Sequence, residues 1–220
     1  MAMVYMTGIG CGIFNYLLYW SGRYDLHAGQ KNNWMTEILP NTWKKALMAA
    51  AYVAGGILFT FLFTGYGYGP AKTIKYCLLM GALVLIGYED FKEKKIPNKW
   101  LLILAGIRGI LIAAEAAVYP AFIWDNIKFT ISGAAAGGIL LFFAYVISRH
   151  GIGSGDVKLF AVMGLYLGAG LTYIVILASL VIAACYGIVK VALKRLKVKD
   201  EIAFAPFAAI GTVIILGLGF

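Results

Sequence analysis

The chain contains 220 residues, of which 62% are hydrophobic and 13% are charged. A soluble domain of this size could not bury so much apolar surface in one core, so the composition excludes a soluble globular protein and indicates an integral membrane protein. The formal net charge of +9 is distributed as in a membrane topology. We therefore expect the lipid bilayer, and no nucleic acid, as a partner.

Apolar segments alternate with polar connections along the chain. Most are roughly 17 to 23 residues long, and a helix rising about 1.5 Å per residue needs about 20 residues to cross ~30 Å of hydrocarbon. We therefore predict an all-α, polytopic membrane helix bundle of about eight transmembrane segments. We expect the sixth and the last to be short or partly re-entrant. The segments comprise residues 2–20, 46–66, 73–89, 100–119, 127–147, 156–168, 171–192 and 203–220.

The first segment has no basic residue before its apolar part and no clear small-residue cleavage site. We therefore expect it to be retained as a span, not removed as a signal peptide. We divide the chain into two parts. Residues 1–72 comprise amino-terminal membrane segments with a polar cytoplasmic stretch at 21–45, and residues 73–220 form a core of about six segments.

Basic residues are concentrated in the connections that follow the first, third, fifth and seventh segments. Because cytoplasmic loops carry an excess of Lys and Arg, these connections are predicted to be cytoplasmic and both termini to lie outside. Asp90 at the end of the third segment and Asp156 at the start of the sixth then share the cytoplasmic side. Arg108 lies inside the fourth segment, and we expect a structural contact with Glu115, two turns further on the same face, more than a catalytic role.

Two carboxylates held within a few ångströms share a proton, so that one acts as a base toward water while the other polarises a scissile carbonyl. Gly153 and Gly155 precede Asp156, and a turn without Cβ atoms lets the backbone approach an extended peptide. We expect no metal, because His27 and His150 have no cysteine pair beside them. The isolated cysteines, Cys11, Cys77 and Cys185, are expected to be small core residues.

The turn after the third segment contains Ile96-Pro97-Asn98. We expect Pro97 to end the preceding segment and the Asn98 side chain to cap the next helix. Each motif alone also has a structural explanation: an interfacial aspartate can be a simple helix cap, and Glu89 or Glu93 could be solvated loop charges. The two aspartates on one face favour aspartic peptidase chemistry.

Three motifs occur in order, and together they resemble the bacterial type IV prepilin peptidases, which are GxGD membrane aspartic proteases. They are Asp90 to Asn98, with the aspartate seven residues before Pro97; Gly153-Ser154-Gly155-Asp156-Val157-Lys158-Leu159; and Asp200-Glu201-Ile202-Ala203-Phe204-Ala205-Pro206-Phe207. The resemblance covers residues 73–220 and implies that Asp90 and Asp156 are the catalytic pair. The residues that would shape the site or bind substrate are Gly153, Gly155, Lys158, Pro97, Asn98 and Pro206.

The resemblance further implies a multi-pass protein of the bacterial cytoplasmic (inner) membrane whose active site faces the cytoplasm. The implied substrate is a type IV prepilin or pseudopilin, cleaved after a glycine that precedes its hydrophobic helix. Residues 12–16, followed by Arg23, are similar to the first segment of bifunctional members that also methylate the new amino terminus. Those members carry paired cysteines in the following stretch, whereas residues 21–45 contain none, so we expect no methylation and no cofactor.

Three alternatives stay open, of which the first comes from the resemblance. The first is a bifunctional peptidase that also N-methylates the mature pilin. The second is a small proton- or ion-coupled transporter that uses the carboxylates and Arg108, although the chain shows no internal repeat and both aspartates are interfacial. The third is a catalytically silent assembly factor that binds pilins.

Overall fold

The computed structural model describes residues 7–17, 42–148, 152–193 and 202–220. Every regular element in these ranges is a helix and none is a strand, which confirms the predicted all-α class. The helices are α1 (residues 7–17), α2 (Thr42–Gly65), α3 (Pro70–Glu93), α4 (Asn98–Val118), a 3₁₀ helix (Pro120–Phe122), α5 (Ile123–Ile147), α6 (Ser154–Ala192) and α7 (Ala205–Gly217).

The predicted apolar segments fall on these helices, with ends that differ by a few residues. Among the described residues, α3, α4, α5 and α6 are long and apolar enough to cross a membrane, as judged by length and composition. The apolar part of α2 and the whole of α7 are shorter. The helices therefore fit a multi-pass membrane protein, while the count of eight spans stays a prediction.

The chain forms two compact units, residues 1–85 and 86–220, and the division at residue 72 stays a prediction. In the first unit α1 lies close to α2, because a Cβ atom added at Gly12 would be 2.7 Å from the Cα atom of Val53. Asn15 is buried in this unit, and its side-chain amide donates a hydrogen bond of 2.9 Å to the carbonyl oxygen of Cys77.

Cys11 and Cys77 are buried, as expected, but Cys185 is exposed on α6. The prediction of a core position was wrong for Cys185. Hydrocarbon tails are as apolar as a protein core, so an apolar residue on a membrane helix faces lipid or protein with little difference in sequence pattern.

In the second unit α6 is interrupted at Gly168, where φ is 73° and ψ is 170°. This region of conformational space is essentially restricted to glycine. A Cβ atom added at Gly137 of α5 would touch both the carbonyl oxygen of Phe160 and the Thr172 side chain. A continuous helix would separate those two residues by about 18 Å, so the chain doubles back at Gly168.

The two halves of α6 correspond to the two predicted segments 156–168 and 171–192, and their separation is confirmed. The first half is about 21 Å long, which is less than the ~30 Å of a hydrocarbon core. It packs tightly on α5, since a Cβ atom added at Gly133 would overlap the carbonyl oxygen of Gly164. Such contacts between small residues let membrane helices approach closely, and they hold the half that begins near Asp156 against α5.

Arg108 is buried in α4, and its Nη1 atom lies 3.1 Å from Glu115 Oε1. The expected structural contact between these two residues is confirmed.

Candidate active site

Asp90 lies in the last turn of α3 and is 5% exposed. Its Oδ2 atom accepts a hydrogen bond of 3.0 Å from the backbone N–H of Ala205, the first residue of α7, and the backbone of Phe204 also interacts with this carboxylate. The first N–H groups of a helix have no partner within the helix, and the helix dipole favours negative charge there. The amino terminus of α7 therefore orients the Asp90 carboxylate and stabilises its charge.

Asp156 lies in the first turn of α6. Its carboxylate lies over the backbone of Gly153, where an added Cβ atom would be 3.1 Å from Oδ2. Gly153 has extended backbone angles and occupies the position immediately before the helix, and its carbonyl oxygen accepts a hydrogen bond of 3.0 Å from the Asp156 N–H. A larger residue at position 153 would displace the Asp156 side chain.

The two predicted aspartates come together in the second unit. The Asp156 carboxylate is close enough to that of Asp90 for the two to interact electrostatically. Asp90 accepts a hydrogen bond from a backbone N–H at the amino terminus of α7, while Asp156 lies in the first turn of α6 and interacts with the backbone of Gly153, just before that helix. The arrangement can therefore support the negative charge that develops when two nearby carboxylates share one proton.

The loops that carry the two aspartate motifs also contact each other. A Cβ atom added at Gly155 would lie 3.2 Å from the Cβ atom of Ile96. Lys158 donates a hydrogen bond of 3.2 Å from Nζ to the Oδ1 atom of Asn98. These contacts tie the start of α4 to the start of α6, so the turn after Asp90 helps to place Asp156.

The predicted capping role of Asn98 was wrong. Pro97 occupies the position before α4, and no side chain forms a capping hydrogen bond there. Asn98 is already the first helical residue, so its side chain is free to accept the bond from Lys158. The preceding helix ends before Pro97, as expected, at Glu93, and Lys94 then adopts a positive φ of 51°.

Pro206 lies in the first turn of α7 and packs on α3. Its Cα atom would be 3.1 Å from a Cβ atom added at Gly87, about one turn before Asp90. This contact sets the amino terminus of α7 beside the Asp90 carboxylate. Sequence reasoning missed that Ala205 supplies a backbone donor; the proline in the first helical turn was the available signal that a helix begins there.

Glu89 is 3% exposed, and neither of its carboxylate oxygens has a hydrogen-bond partner among the described residues. Glu89 is therefore not a solvated loop charge, because it is buried and α3 continues beyond it to Glu93. Glu93 itself is exposed. Glu89 lies near Lys99 and Trp100 at the start of α4. The neighbours of Glu89 therefore differ from those of Asp90, whose carboxylate contacts α7 and interacts with Asp156.

Among the described residues, no group of three or more His, Cys, Asp or Glu side chains could hold a metal ion. His27, His150, Asp200 and Glu201 lie outside the described residues. The expected absence of a metal stays a prediction.

The chain is similar in sequence to several proteins named prepilin leader peptidase/N-methyltransferase. The prepilin leader peptidase/N-methyltransferase of Bacillus subtilis (strain 168) is 31% identical over 137 residues, which cover 62% of this chain and 52% of that protein. The protein of the same name in Escherichia coli (strain K12) is 28% identical, with 77% of this chain and 70% of that protein covered. The Pseudomonas aeruginosa protein of that name is 24% identical, with 77% and 56% covered. The match thus spans about half the length of most of these relatives. No solved structure matches the chain.

The model of the type IV leader peptidase family matches residues 77–188. This range begins within α3, ends near the end of α6 and includes both Asp90 and Asp156. It covers about half of the chain, and the chain belongs to the type IV leader peptidase family.

Proposed function

We propose that the protein is a membrane-embedded aspartic endopeptidase. It removes the cytoplasmic leader peptide of type IV prepilins or pseudopilin-like proteins and cleaves after a glycine that precedes the hydrophobic helix. The observation that carries this proposal is the meeting of Asp90 and Asp156 at the amino termini of two helices. Family membership supports the same reaction class.

In the proposed reaction the two carboxylates share one proton. One carboxylate takes a proton from the attacking water, and the other donates its proton to the carbonyl oxygen of the scissile bond. The resulting tetrahedral diol collapses: one of its hydroxyl groups returns a proton to the second carboxylate as the C=O bond re-forms, the C–N bond breaks, and the leaving amine takes up the proton from the first carboxylate. The backbone N–H of Ala205 holds Asp90 in one orientation throughout, so the reacting oxygens need little rearrangement.

The residues around the pair have separate tasks in this proposal. Gly153 keeps a side chain away from the Asp156 carboxylate, which leaves room for an extended substrate backbone, and Gly155 lets the start of α6 approach Ile96. Lys158 and Asn98 hold the two loops together. Pro97 directs the turn between α3 and α4, and Pro206 seats α7 on α3.

The proposed setting is the bacterial inner membrane, with the site at the cytoplasmic face and residues 73–220 as the peptidase core. Both aspartates lie at helix ends, where a basic leader in the cytoplasm would meet a substrate helix in the bilayer.

The relatives' names also include an N-methyltransferase. The lack of cysteines in residues 21–45 supports proteolysis without methylation in this chain.

The membrane topology can be tested with single cysteines at Lys94 and Asp125, which lie on either side of α4. We expect Asp125→Cys to react with an impermeant maleimide on intact cells, and Lys94→Cys to react only after permeabilisation, because basic loops stay inside. The unsubstituted protein, which keeps its native cysteines, gives the background. Labelling of both positions from one side would contradict the proposed orientation.

Replacing Glu89 by glutamine is expected to keep at least about half of the cleavage activity, because Glu89 faces the start of α4 and not the carboxylate pair. Glutamine also avoids the cost of burying a charged carboxylate, so the amount of protein in the membrane should not fall. Initial rates of cleavage at matched protein levels measure the effect. An inactive Glu89→Gln variant together with an active Asp90→Asn variant would reverse the assignment of the two neighbours.

Co-expression with a prepilin tests the proposed function in cells. We expect the prepilin band to shift to the mobility of the mature pilin when the wild-type protein is present. An unshifted band, with both proteins detected in the membrane fraction, would count against peptidase activity.

A further inference from the structure

Arg108 lies in the middle of α4, is 1% exposed, and takes no part in the proposed reaction. Its guanidinium group makes four hydrogen bonds. Nη1 donates to both carboxylate oxygens of Glu115 at 3.1 and 3.2 Å, Nη2 donates to Thr130 Oγ1 at 3.1 Å, and Nε donates to the carbonyl oxygen of Leu165 at 3.0 Å. These acceptors belong to α4, α5 and α6, so one side chain joins three helices.

A buried arginine in a membrane helix is costly unless its charge and its donors are satisfied. Glu115 supplies the opposite charge, while Thr130 and Leu165 supply neutral acceptors. A guanidinium group presents its donors as a rigid planar fork. The contacts of Arg108 therefore require a fixed spacing between α4, α5 and the first half of α6.

Leu165 lies in the last turn of the first half of α6, just before the interruption at Gly168. The last carbonyl groups of a helix lack partners within that helix, and in hydrocarbon such groups must find another donor. Tyr166, Leu167 and Gly168 are buried, and Gly168 lies against Phe129 of α5, so this end of the helix is covered by protein. Arg108 supplies the donor, and its positive charge suits a helix carboxyl terminus.

A second contact joins the same turn of α6 to α4. The buried hydroxyl group of Tyr166 donates a hydrogen bond of 2.6 Å to the carbonyl oxygen of Leu104. Asp156 lies at the other end of this half, about 14 Å from Leu165, where Lys158 bonds to Asn98. The half that carries Asp156 is thus attached to α4 at both ends.

We propose that Arg108 is a positioning residue that caps the buried end of the first half of α6 and thereby sets the place of Asp156 opposite Asp90. The proposal rests on the proposed function, because it assigns Arg108 a role in cleavage through Asp156. It explains why an ionised side chain is kept inside an otherwise apolar stretch of α4.

The kinetic test compares Arg108→Gln and Arg108→Lys with Lys128→Gln, which removes an exposed cation from α5. We expect Arg108→Gln to lower kcat by about 10- to 100-fold, since small misplacements of reacting groups have effects of this size, while KM changes by less than about threefold. Arg108→Lys should recover only part of kcat, because an ammonium group lacks the planar fork. Lys128→Gln should match the wild type.

A second measurement does not depend on activity. Cysteines at Ile96 and Gly155 would have Cβ atoms close to the separation of about 3.8 Å found in disulfides. We expect mild oxidation of Ile96→Cys/Gly155→Cys to form this bond, measured by the intact mass after the remaining thiols are blocked. Each single cysteine variant gives the background from the native cysteines. Adding Arg108→Gln should lower the yield at least threefold, and adding Lys128→Gln should not.

The proposal requires both changes. It is overturned if Arg108→Gln leaves either kcat or the cross-linking yield at the wild-type value. A fall in the amount of protein alone, with both values unchanged, would also overturn it. An active Asp90→Asn variant would remove the proposed function, while the cross-linking yield would still show whether Arg108 places the start of α6.

Discussion

Replacing Asp90 or Asp156 by asparagine is expected to lower leader cleavage by at least about 10³-fold, because each carboxylate must gain or lose a proton during the reaction and an amide does neither. Asparagine has nearly the same size and keeps a side-chain oxygen that can accept the hydrogen bond from Ala205. Both variants should therefore reach the membrane in normal amounts. The measurement is the initial rate of prepilin cleavage at matched protein levels.

Glu89→Gln is the matched control for this experiment, since it makes the same chemical change at the neighbouring position of α3. Substantial cleavage by Asp90→Asn or by Asp156→Asn would remove that residue from the catalytic pair. A loss in Glu89→Gln equal to that in Asp90→Asn would point to a general sensitivity of the end of α3.

The Gly168→Ala variant is expected to be strongly destabilised. Gly168 has a φ of 73°, and an added Cβ atom would overlap the Phe129 ring. The backbone conformation alone should cost about 1–3 kcal/mol in the free energy of unfolding, and the overlap should add about 1–3 kcal/mol. For a chain of this size we expect the Tm in detergent to fall by about 5 °C or more.

Gly170→Ala provides the control, because a Cβ atom at Gly170 would have no neighbouring atom within 4 Å. Thermal unfolding of the two purified variants, followed by tryptophan fluorescence, compares the same substitution two residues apart. A Gly168→Ala variant with the Tm of Gly170→Ala would show that the chain does not need to reverse at Gly168.

Local patterns predicted much of the fold. The lengths of the apolar runs located the helices from α2 to α7, and the predicted break between residues 168 and 171 matches the interruption of α6. The spacing of Arg108 and Glu115 along one helical face predicted their ion pair. These features depend on residues close together in the chain, where helical geometry alone determines which side chains meet.

The pairing of Asp90 with Asp156 was expected from the topology and from the resemblance, but other features that depend on distant parts of the chain could not be predicted. Nothing near Asp90 indicates that the N–H of Ala205 binds its carboxylate, because this contact arises only when α7 packs on α3. The burial of Glu89 has the same origin, since it follows from the packing of α3 against the start of α4. Asn98 was misassigned because a one-residue shift in the start of α4 changes a capping residue into a helical one.

The central claim is that the Asp90–Asp156 pair cleaves a prepilin leader after a glycine. The most direct measurement is intact-mass spectrometry of a purified prepilin incubated with the purified, lipid-reconstituted protein. We expect two products whose masses place the cut directly after the glycine that precedes the hydrophobic helix, with no added methyl group on the mature pilin. An uncleaved prepilin, a cut at another position, or the same products from Asp156→Asn would contradict the claim.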